Sequence, residues 1–529
     1  MNKKFYSFGM AVMMLLLSGN VMATDYYISA NGNDANDGKS AATALATLTK
    51  LASKLANGDH VFVSGIIKVK NVEKNGAMVP EWNRAHLKGV VFEGVNPQED
   101  GFDGEGENQL FNLNNSIYTF KNLSFRNGKL AKANLGKNND ANTHAAAIWG
   151  TPLRLTLDNC IFEGNVSEED NNNNSAGAVY VGGGTVENSN KELVNCGIYA
   201  TNTQFIQNTA SNGQGGAIQL ASYGEFKNCY FKGNEAANAG GAIHGNSLKG
   251  LMVDGCAFEA NESQTQSGGA INFYLNNVTG LTFQISNSTF SQNKAARAGG
   301  AFSWNQNGGS SDNTINFVHC TVADNTTAGN VGSSGGINIA NAACSVNIIN
   351  SLIQGNLAAT NANSYADITF GENGETKNVT FKGSCVGYIR RYANYSSNYT
   401  VDDKSKLNTL DGKDPRKEDV KTLLAYADYD ADAHIYRLKA TSDATTAADL
   451  SADATYGVTT DQLGQAWTKP YVGAVQLLEG ESTGISGIKT DAPKSLKGIY
   501  NIAGQYVGND ASQLAKGLYI INGKKVIVK

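Results

Sequence analysis

Proline, charge and long apolar segments are all scarce in this 529-residue sequence, which contains only six prolines. Charged residues make up 17% of the chain, which is low for a protein of this size, and strong helix formers are also sparse. These scarcities argue against several ordinary globular domains. The net charge of −5 is weak and no stripe of Lys, Arg and aromatic residues is visible, so we expect no binding to nucleic acid. Gly, Asn and Ser are abundant instead, which is typical of many short strands joined by tight turns.

Residues 1–23 have the pattern of a secretory signal peptide. Lys3 and Lys4 form its charged region, an apolar run covers residues 9–17, and Ala23 follows at the expected cleavage site, so the mature chain is predicted to begin at Thr24. The apolar run is too short for an ordinary membrane helix, and no later stretch is long and apolar enough to span a bilayer. We therefore expect a secreted chain without a transmembrane span.

Two short motifs recur along the middle of the chain and dominate its pattern. In the first motif, an aromatic or aliphatic residue is followed three positions later by Asn, and the copies are Phe162/Asn165, Phe205/Asn208, Phe231/Asn234, Phe258/Asn261, Phe290/Asn293, Val322/Asn325 and Ile353/Asn356. In the second motif, a Gly pair precedes a small residue and then Ile or Phe, and the clearest copies begin at Gly215, Gly240, Gly268 and Gly299. Such a repeat predicts a solenoid of stacked coils.

The distance between copies predicts a right-handed parallel β-helix. The positions 205, 231, 258, 290 and 322 are separated by 26, 27, 32 and 32 residues, the length of one coil with three short strands and three turns. Stacked coils rise by about 4.8 Å, the spacing of paired strands. We predict that each Phe points inward and stacks on the Phe of the next coil. We also predict that each Asn occupies a bend with left-handed geometry and bonds its own backbone, and that the Gly pair permits a tight turn.

The segment before the repeats is expected to cover the open N-terminal end of the stack. Leucines three or four positions apart, at 45, 48, 51 and 55, predict an amphipathic capping helix over residues 40–55. Such a cap protects bare strand edges from pairing with other chains. The predicted divisions are a signal peptide (1–23), an N-terminal strand and capping helix (24–60), the β-helix (61–400), its terminal coils and closing segment (401–478), a linker (479–497) and a small β-rich tail (498–529).

Several of these motifs resemble those of known secreted proteins. The combination of Phe-x-x-Asn with Gly-Gly-Ala-Ile, over about residues 125–356, is similar to the repeats of chlamydial polymorphic outer-membrane proteins. That resemblance implies a β-helical surface adhesin. Residues 26–65 and 102–105 resemble the start of many secreted bacterial β-helix proteins, polysaccharide lyases among them. The usual close of that group is similar to residues 436–439, 461–464 and 472–475.

The C-terminal tail resembles the sorting domains of type IX secretion in Gram-negative bacteria. The resemblance rests on Gly-Ile-Tyr-Asn-Ile-Ala-Gly-Gln at 498–505 and on the alternating strand pattern of 517–529. It implies release from the cell or attachment at the outer-membrane surface, with the secretion machinery as a partner. The autotransporter barrel that follows chlamydial repeats is not found in this sequence. A small structural β-tail is the alternative interpretation.

The seven cysteines invite a disulfide interpretation, but their number is odd. Four of them lie two residues before the repeated aromatic position or its Val322 substitute, namely Cys160, Cys229, Cys256 and Cys320. Other copies carry Thr203, Ser288 and Ser351 at this position. A position that accepts Cys, Thr or Ser selects a small side chain in a stack, so we expect buried free thiols.

An acidic cluster is a candidate metal site. Asp100, Asp103 and Glu105 are interleaved with Gly and supply carboxylate oxygens of the kind that bind Ca²⁺. The alternative interpretation is a solvated turn, and we expect no other cofactor.

Strand alternation predicts a candidate ligand-binding column. If the Ile or Phe of each Gly-Gly copy points inward, the next residue points outward. The resulting surface column consists of Trp149, Tyr180, Gln219, His244, Asn272, Ser303 and Asn338. Its amides, hydroxyls and aromatic rings suit stacking and hydrogen bonding to a sugar chain laid along the coils. The column offers neither the base nor the cation or metal that a β-elimination lyase needs.

These features favour a non-enzymatic adhesin or glycan-binding module, whose partner is a polysaccharide or a glycan or protein of a neighbouring surface. Two alternatives stay open. The first is a polysaccharide lyase or glycoside hydrolase on the same scaffold, and the second is a structural spacer that holds the cargo of the tail away from the membrane. The fold itself does not decide, because one scaffold hosts several activities.

Overall fold

A computed structural model describes residues 23–477 and 499–528, apart from 75–76, 132–143, 169–174, 277, 308–311, 329–332, 342–343, 359–366, 372–377, 392–397, 410–426, 440–441, 443–446, 502–505, 509–516 and 522–523. The chain divides into two compact units, Met1–Glu479 and Gly480–Lys529. The first unit is a right-handed parallel β-helix and the second is a small antiparallel sheet, so the predicted all-β fold class is confirmed.

Each complete coil contributes one strand to each of four parallel ladders, which we name sheets 1 to 4 in chain order. Sheet 1 comprises Asp25–Ser29, His60–Ser64, Lys88–Glu93, Ser116–Lys121, Leu153–Asp158, Gly197–Thr201, Tyr223–Lys227, Gly250–Asp254, Thr282–Ser286, Thr314–Val318, Ser345–Ile349, Asn378–Lys382 and Asn398–Val401. Sheet 2 comprises Ile66–Lys68, Gly101–Asp103, Ser124–Arg126, Ile161–Glu163, Gln204–Ile206, Tyr230–Lys232, Ala257–Glu259, Thr289–Ser291, Thr321–Ala323, Leu352–Gln354, Cys385–Arg391 and Lys406–Thr409.

The other two ladders complete the coil. Sheet 3 comprises Lys129–Leu130, Val166–Ser167, Thr209–Ala210, Glu235–Ala236, Glu262–Ser263, Lys294–Ala295, Thr326–Thr327 and Leu357–Ala358. Sheet 4 comprises Trp82–Asn83, Phe111–Asn112, Ile148–Gly150, Val179–Val181, Ile218–Leu220, Ile243–Gly245, Ile271–Asn276, Phe302–Asn307, Ile337–Asn341 and Ile368–Phe370, and it joins sheet 2 through Cys385–Arg391. The prediction of three strands in each coil is therefore wrong, because the two-residue strands of sheet 3 are too short to leave a pattern in the sequence.

The repeated Phe residues form a continuous stack inside the coil, as predicted. Phe231 and Phe258 are parallel within 1° with ring centroids 4.6 Å apart, and Phe258 and Phe290 are parallel within 2° at 4.6 Å. The stack extends through Phe205, Phe162 and Phe125 with separations of 4.5 to 5.0 Å. These rings are fully buried, so each coil shields the aromatic layer of its neighbour from water.

The repeated Asn residues form a buried amide ladder, which differs from the prediction. Asn234 donates from Nδ2 to Asn261 Oδ1 (2.9 Å) and to Phe205 O (2.8 Å), while its own Oδ1 accepts from the backbone N (3.0 Å) and Nδ2 (2.9 Å) of Asn208. The left-handed residue is the preceding one, such as Gly233 with φ +59°. The side chain bonds neighbouring coils because its full burial leaves no water to satisfy it. The ladder consists of Asn165, Asn208, Asn234, Asn261, Asn293, Asn325 and Asn356.

A buried carboxyl group, Asp367, ends this ladder. Its Oδ1 accepts from the backbone N (2.9 Å) and Nδ2 (2.8 Å) of Asn356, and its Oδ2 accepts from the backbone N of Tyr388 (2.8 Å). Burial raises the pKa of Asp367 to about 7, although these hydrogen bonds act in the opposite direction. The last position of the ladder is therefore the one that titrates.

Replacing Asp367 by Asn is expected to remove a pH-dependent part of the stability. Because the folded-state pKa of about 7 lies above the ordinary 3.8, the carboxyl's contribution is most favourable below pH 4 and is lost as the pH rises to 7. Linkage sets this loss at up to about 4 kcal/mol. Urea denaturation at several pH values should show that the difference in unfolding free energy between the native protein and Asp367→Asn changes across this window. An unchanging difference, or the same change for the exposed Asp158→Asn, would contradict the assignment.

The Gly pairs and the cysteines behave as predicted. The first glycine of each pair is left-handed, with φ of +63° to +73° at Gly215, Gly240, Gly268 and Gly299. A Cβ on the second glycine would lie 2.1 Å from the carbonyl oxygen of the matching glycine in the next coil, as between Gly241 and Gly269. All seven cysteines are free and buried. Cys256 shows their role, because its Sγ accepts from the backbone N of Cys229 in the previous coil (3.3 Å) and donates to Phe226 O (3.4 Å).

The N-terminal cap contains much less helix than predicted. The 3-10 turn Ala41–Thr43 and the α-helix Leu48–Ala52 replace the expected helix over 40–55. The side chain of Thr47 caps the start of Leu48–Ala52, and Leu45 instead forms a parallel bridge with Ile28. The four leucines are nevertheless buried, so their spacing indicated burial against the end of the stack and not the length of a helix.

The described residues between 427 and 477 form a return segment that lies along the outer face of sheet 2. It contains the antiparallel pair Ala427–Asp430 and Ile435–Leu438, the 3-10 turn Leu450–Ala452 and the helix Asp453–Tyr456. His434 Nδ1 lies 2.7 Å from Glu259 Oε2, and the backbone N of Ala474 donates to Thr321 Oγ1 (2.9 Å). The return segment therefore covers sheet 2 at these coils.

Two hairpins and the tail complete the secondary structure of the described residues. The hairpins pair Asn71–Lys74 with Ala77–Pro80 and Thr185–Glu187 with Leu193–Asn195. In the second unit, Tyr506–Gly508, Ile499–Asn501, Gly517–Ile521 and Lys524–Val528 lie side by side in that order as one antiparallel sheet.

Candidate functional site

The predicted column is a continuous ladder along sheet 4, but it is not an exposed surface. Successive members are register partners, from Trp149 with Tyr180 to Ser303 with Asn338. Gln219 is 0% exposed, Asn272 is 6% exposed and the other members are also buried, apart from Tyr180, which is half-buried. The expectation of an exposed column is therefore wrong.

The Gly-Gly turns explain why the column is buried. Each turn folds back over the first residues of the sheet 4 strand that follows it. A Cβ on Gly268 would lie 2.6 Å from Asn272 Cβ, and one on Gly299 would lie 3.1 Å from Ser303 Cβ. Only a residue without a side chain permits this approach. The same motif that predicted the column therefore places a wall of turns beside it.

A groove of about 390 Å³ opens between this wall and the far ends of the sheet 4 strands. His244, Asn272, Ser303 and Asn338 contribute to its floor. The turns supply one wall, which includes Gln214, Asn238, Gln266, Arg297 and Ser333, and the strand ends supply the other, which includes Tyr274, Asn305 and Ala340. This volume is within the range of small-molecule sites in proteins.

Three members of the predicted column lie outside the groove lining. Trp149 packs with Ala145 and Ala176 in a small apolar cluster, against which Tyr180 also packs. Gln219 is fully buried between the groove and this cluster in the register of the ladder. Trp149 is 1% exposed, so its ring is not accessible for stacking on a sugar.

The floor of the groove is neutral and rich in hydrogen-bonding groups. Asn272 Nδ2 lies 3.1 Å from His244 Nδ1, and because an amide NH₂ only donates, Nδ1 is the acceptor and the neutral ring carries its proton on Nε2. Burial lowers the pKa of His244 to about 3, so the ring is uncharged at neutral pH. His244 is therefore neither a cation nor a general base matched to neutral pH.

Two buried carbonyl oxygens of the lining lack a donor. Oδ1 of Asn338, a residue that is 1% exposed, and Oδ1 of Asn305 accept no hydrogen bond from any described residue. Buried acceptors in folded proteins nearly always have a partner. The two oxygens therefore favour a ligand that donates hydrogen bonds to this part of the groove.

Sequence reasoning missed two prominent residues of the lining, Tyr274 and Arg297. Tyr274 is 40% exposed and is the register partner of Asn305. The alternation that selected Asn272 also assigns Tyr274 to the outer face two positions later, and extending the pattern along the strand would have found it. Arg297 lies in a turn, where no strand alternation applies.

The carboxylates proposed for Ca²⁺ make contacts typical of turns. Asp100 is buried and accepts from the backbone N of Gly65 (2.8 Å) and from two N–H groups of its own turn. Asp103 accepts from the backbone N of Glu105 (2.7 Å), and Glu105 forms an ion pair with Lys68. Within the described ranges, no group of three His, Cys, Asp or Glu residues is placed to hold a metal ion. Binding of Ca²⁺ stays a prediction.

Comparisons with known proteins support the fold and nothing further. No protein-family model matches the chain, and no curated protein matches it. One similar solved structure is pectate lyase Pel9A, with 13% sequence identity, coverage of 87% of this chain and 98% of that chain, and a TM-score of 0.38. Another is XylC in complex with xylose, with 8% identity, coverage of 86% of this chain and 98% of that chain, and a TM-score of 0.41. A third is the A-module of the Azotobacter vinelandii mannuronan C-5 epimerase AlgE4, with 10% identity, coverage of 67% of this chain and 90% of that chain, and a TM-score of 0.32. These similarities concern the course of the chain and carry no information about activity.

Among the described residues, none of the helices has the length and apolar character required to cross a bilayer.

Proposed function

We propose that the protein is a glycan-binding module of the cell surface or the secreted fraction, which holds a polysaccharide strand in the groove along sheet 4. The observation that carries this proposal is the groove floor, where amide and hydroxyl side chains repeat from coil to coil beside two carbonyl oxygens that lack a donor. A sugar strand supplies hydroxyl donors at regular intervals. Because neither oxygen is exposed to solvent, the Asn305 and Asn338 side chains would rotate towards the bound strand to accept its hydroxyl hydrogens.

The spacing of the groove suits an extended polymer. His244, Asn272, Ser303 and Asn338 lie on four successive coils, which are separated by about 4.8 Å each. That step is comparable to the repeat of an extended hexose chain, so successive sugars meet equivalent rungs. Tyr274 adds an accessible aromatic ring on the groove wall, and an aromatic ring suits the apolar face of a pyranose.

The chemistry of the lining supports binding in preference to catalysis. Glycoside hydrolysis generally uses a pair of carboxyl groups, one on each side of the scissile bond. The described residues that line the groove include no Asp or Glu. Elimination needs a base together with a cation or metal. The lowered pKa of His244 makes its neutral ring a weak base. The lining therefore supplies hydrogen bonds, an aromatic ring and a single cation.

The two ends of the chain support an outer location for this module. The signal-like segment 1–23 would direct export, and the tail over 498–529, which resembles type IX sorting domains, would engage the secretion machinery. The tail belongs to a compact unit of its own, as a separately recognised sorting element requires. The natural ligand would then be a polysaccharide or a glycan or glycoprotein of a neighbouring surface, bound in the manner of an adhesin.

Replacing Tyr274 by Ala is expected to weaken glycan binding about tenfold, a loss of about 1.4 kcal/mol, because the exposed ring would no longer cover a sugar face. The mature chain would first be screened on a glycan array, and its affinity for a retained glycan would then be measured by calorimetry. Tyr223→Ala is the matched control, since Tyr223 is a half-buried tyrosine on the outer face of sheet 1.

Three results would contradict the proposed function. The first is retention of no glycan by the mature chain. The second is equal weakening by Tyr274→Ala and Tyr223→Ala, which would place the ligand elsewhere. The third is the appearance of unsaturated products or new reducing ends during incubation with a polysaccharide, which would indicate a lyase or a hydrolase.

A further inference from the structure

Arg297 is the single charged residue among the described residues that line the groove. It lies on the turn wall, is exposed, and forms no salt bridge with any described residue. The nearest sequence neighbour of like charge, Lys294, is already paired with Glu262 (2.7 Å). The groove therefore has a positive wall whose charge is not neutralised by a described carboxylate.

We infer that the groove selects an acidic glycan, whose hydroxyl groups face the floor and whose anionic groups face Arg297. The inference rests on the proposed function and adds a ligand class and an orientation to it. A guanidinium group binds carboxylate and sulfate oxygens through paired N–H donors in a fixed plane. Arg297 is thus the residue that determines the charge preference of the groove.

The floor fixes the orientation. Oδ1 of Asn338 and Oδ1 of Asn305 are acceptors without a donor, so they attract hydroxyl hydrogens and repel the oxygens of an anionic group. His244 is neutral because burial lowers its pKa to about 3, so it does not attract an anion to the floor. An acidic sugar strand therefore lies with its hydroxyl edge down and its charged edge towards the turns.

The test uses two pairs of polymers that differ in charge alone. Polygalacturonate is compared with its carboxyl-reduced neutral form, and dextran sulfate is compared with dextran, so that carboxylate and sulfate are separated. We expect the mature chain to bind the acidic member of at least one pair about tenfold more tightly than the neutral member. Arg297→Gln should abolish that preference, and Arg297→Lys should retain part of it, because a point charge lacks the paired donors.

A matched arginine separates this effect from a change in net charge. Arg154 lies on the outer face of sheet 1, where it packs on the ring of Tyr199 at 4.0 Å, and Arg154→Gln should leave the preference unchanged. Equal binding of acidic and neutral members, or loss of the preference in both Gln variants, would overturn the inference while glycan binding stands. Binding of neither pair, together with an empty glycan array, would overturn the proposed function as well.

Discussion

Replacing Asn234 by Leu is expected to lower the free energy of unfolding by about 4 kcal/mol, because leucine fills a similar volume but forms none of the side-chain hydrogen bonds. Asn208 would lose the acceptor of its backbone N and of its Nδ2, which lie 3.0 and 2.9 Å from Asn234 Oδ1. The carbonyl of Phe205 would lose its donor at 2.8 Å. Each buried polar group left without a partner costs about 1 to 3 kcal/mol.

The measurement is equilibrium denaturation of the mature chain, with the far-ultraviolet signal of the strands as the probe. Gln264→Ala is the matched control, since Gln264 is an exposed amide of the coil next to Asn234, and its loss is expected to change the stability by less than about 0.5 kcal/mol. Equal stabilities of the native protein and Asn234→Leu would show that the amide ladder contributes nothing to the fold.

Replacing Phe258 by Ala is expected to destabilise the β-helix by about 3 to 5 kcal/mol, the usual effect of removing a buried aromatic side chain. Phe258 is fully buried and stacks at 4.6 Å on both Phe231 and Phe290. Its removal opens a cavity between Phe231 and Phe290 and interrupts the Phe stack next to its last member, Phe290. Since each coil is stabilised mainly by its neighbours, the change should also reduce the cooperativity of unfolding.

Two further variants isolate the role of the Phe stack. Phe258→Leu keeps most of the apolar volume and should cost less than half as much as the alanine variant. Phe62→Ala removes a partly exposed ring outside the Phe stack, at the outer face of sheet 1, and should also destabilise the protein less than Phe258→Ala. If Phe62→Ala proved as damaging as Phe258→Ala, the stack would have no special role.

The inner side of the coil could be predicted from the sequence because each position repeats. The Phe-x-x-Asn spacing located Phe231 and Phe258 in one stack, and the exchange of Cys256 for Ser288 in the next copy indicated a small buried side chain. The partners of Asn234 could not be predicted, because periodicity tells which residues align and does not tell where their hydrogen bonds go. Because the Asn side chains are fully buried, they form hydrogen bonds with neighbouring coils.

The site was predicted less well, because it depends on turns. Alternation placed Asn272 and Ser303 in one column correctly, yet it did not indicate that Gly268 brings a turn to within contact of Asn272 Cβ. That approach converts an open face into a groove. Arg297 belongs to such a turn, so strand alternation could not identify it. The leucines of the N-terminal segment led to a separate error, because their burial does not require a long helix.

The lengths of the connections divide each coil into a constant part and a variable part. Phe226 precedes Phe231 by five residues, and Ile285 precedes Phe290 by five. By contrast, 8 residues separate Ile218 from Phe226, whereas 15 separate the equivalent positions 302 and 317. Insertions therefore accumulate beside sheet 4, at the rim of the groove. If the groove binds glycans as proposed, duplicated coils could acquire new ligand preferences by changing loop length while the Phe stack and the Asn ladder keep their spacing. Each doubling of a loop would cost only about 0.6 kcal/mol.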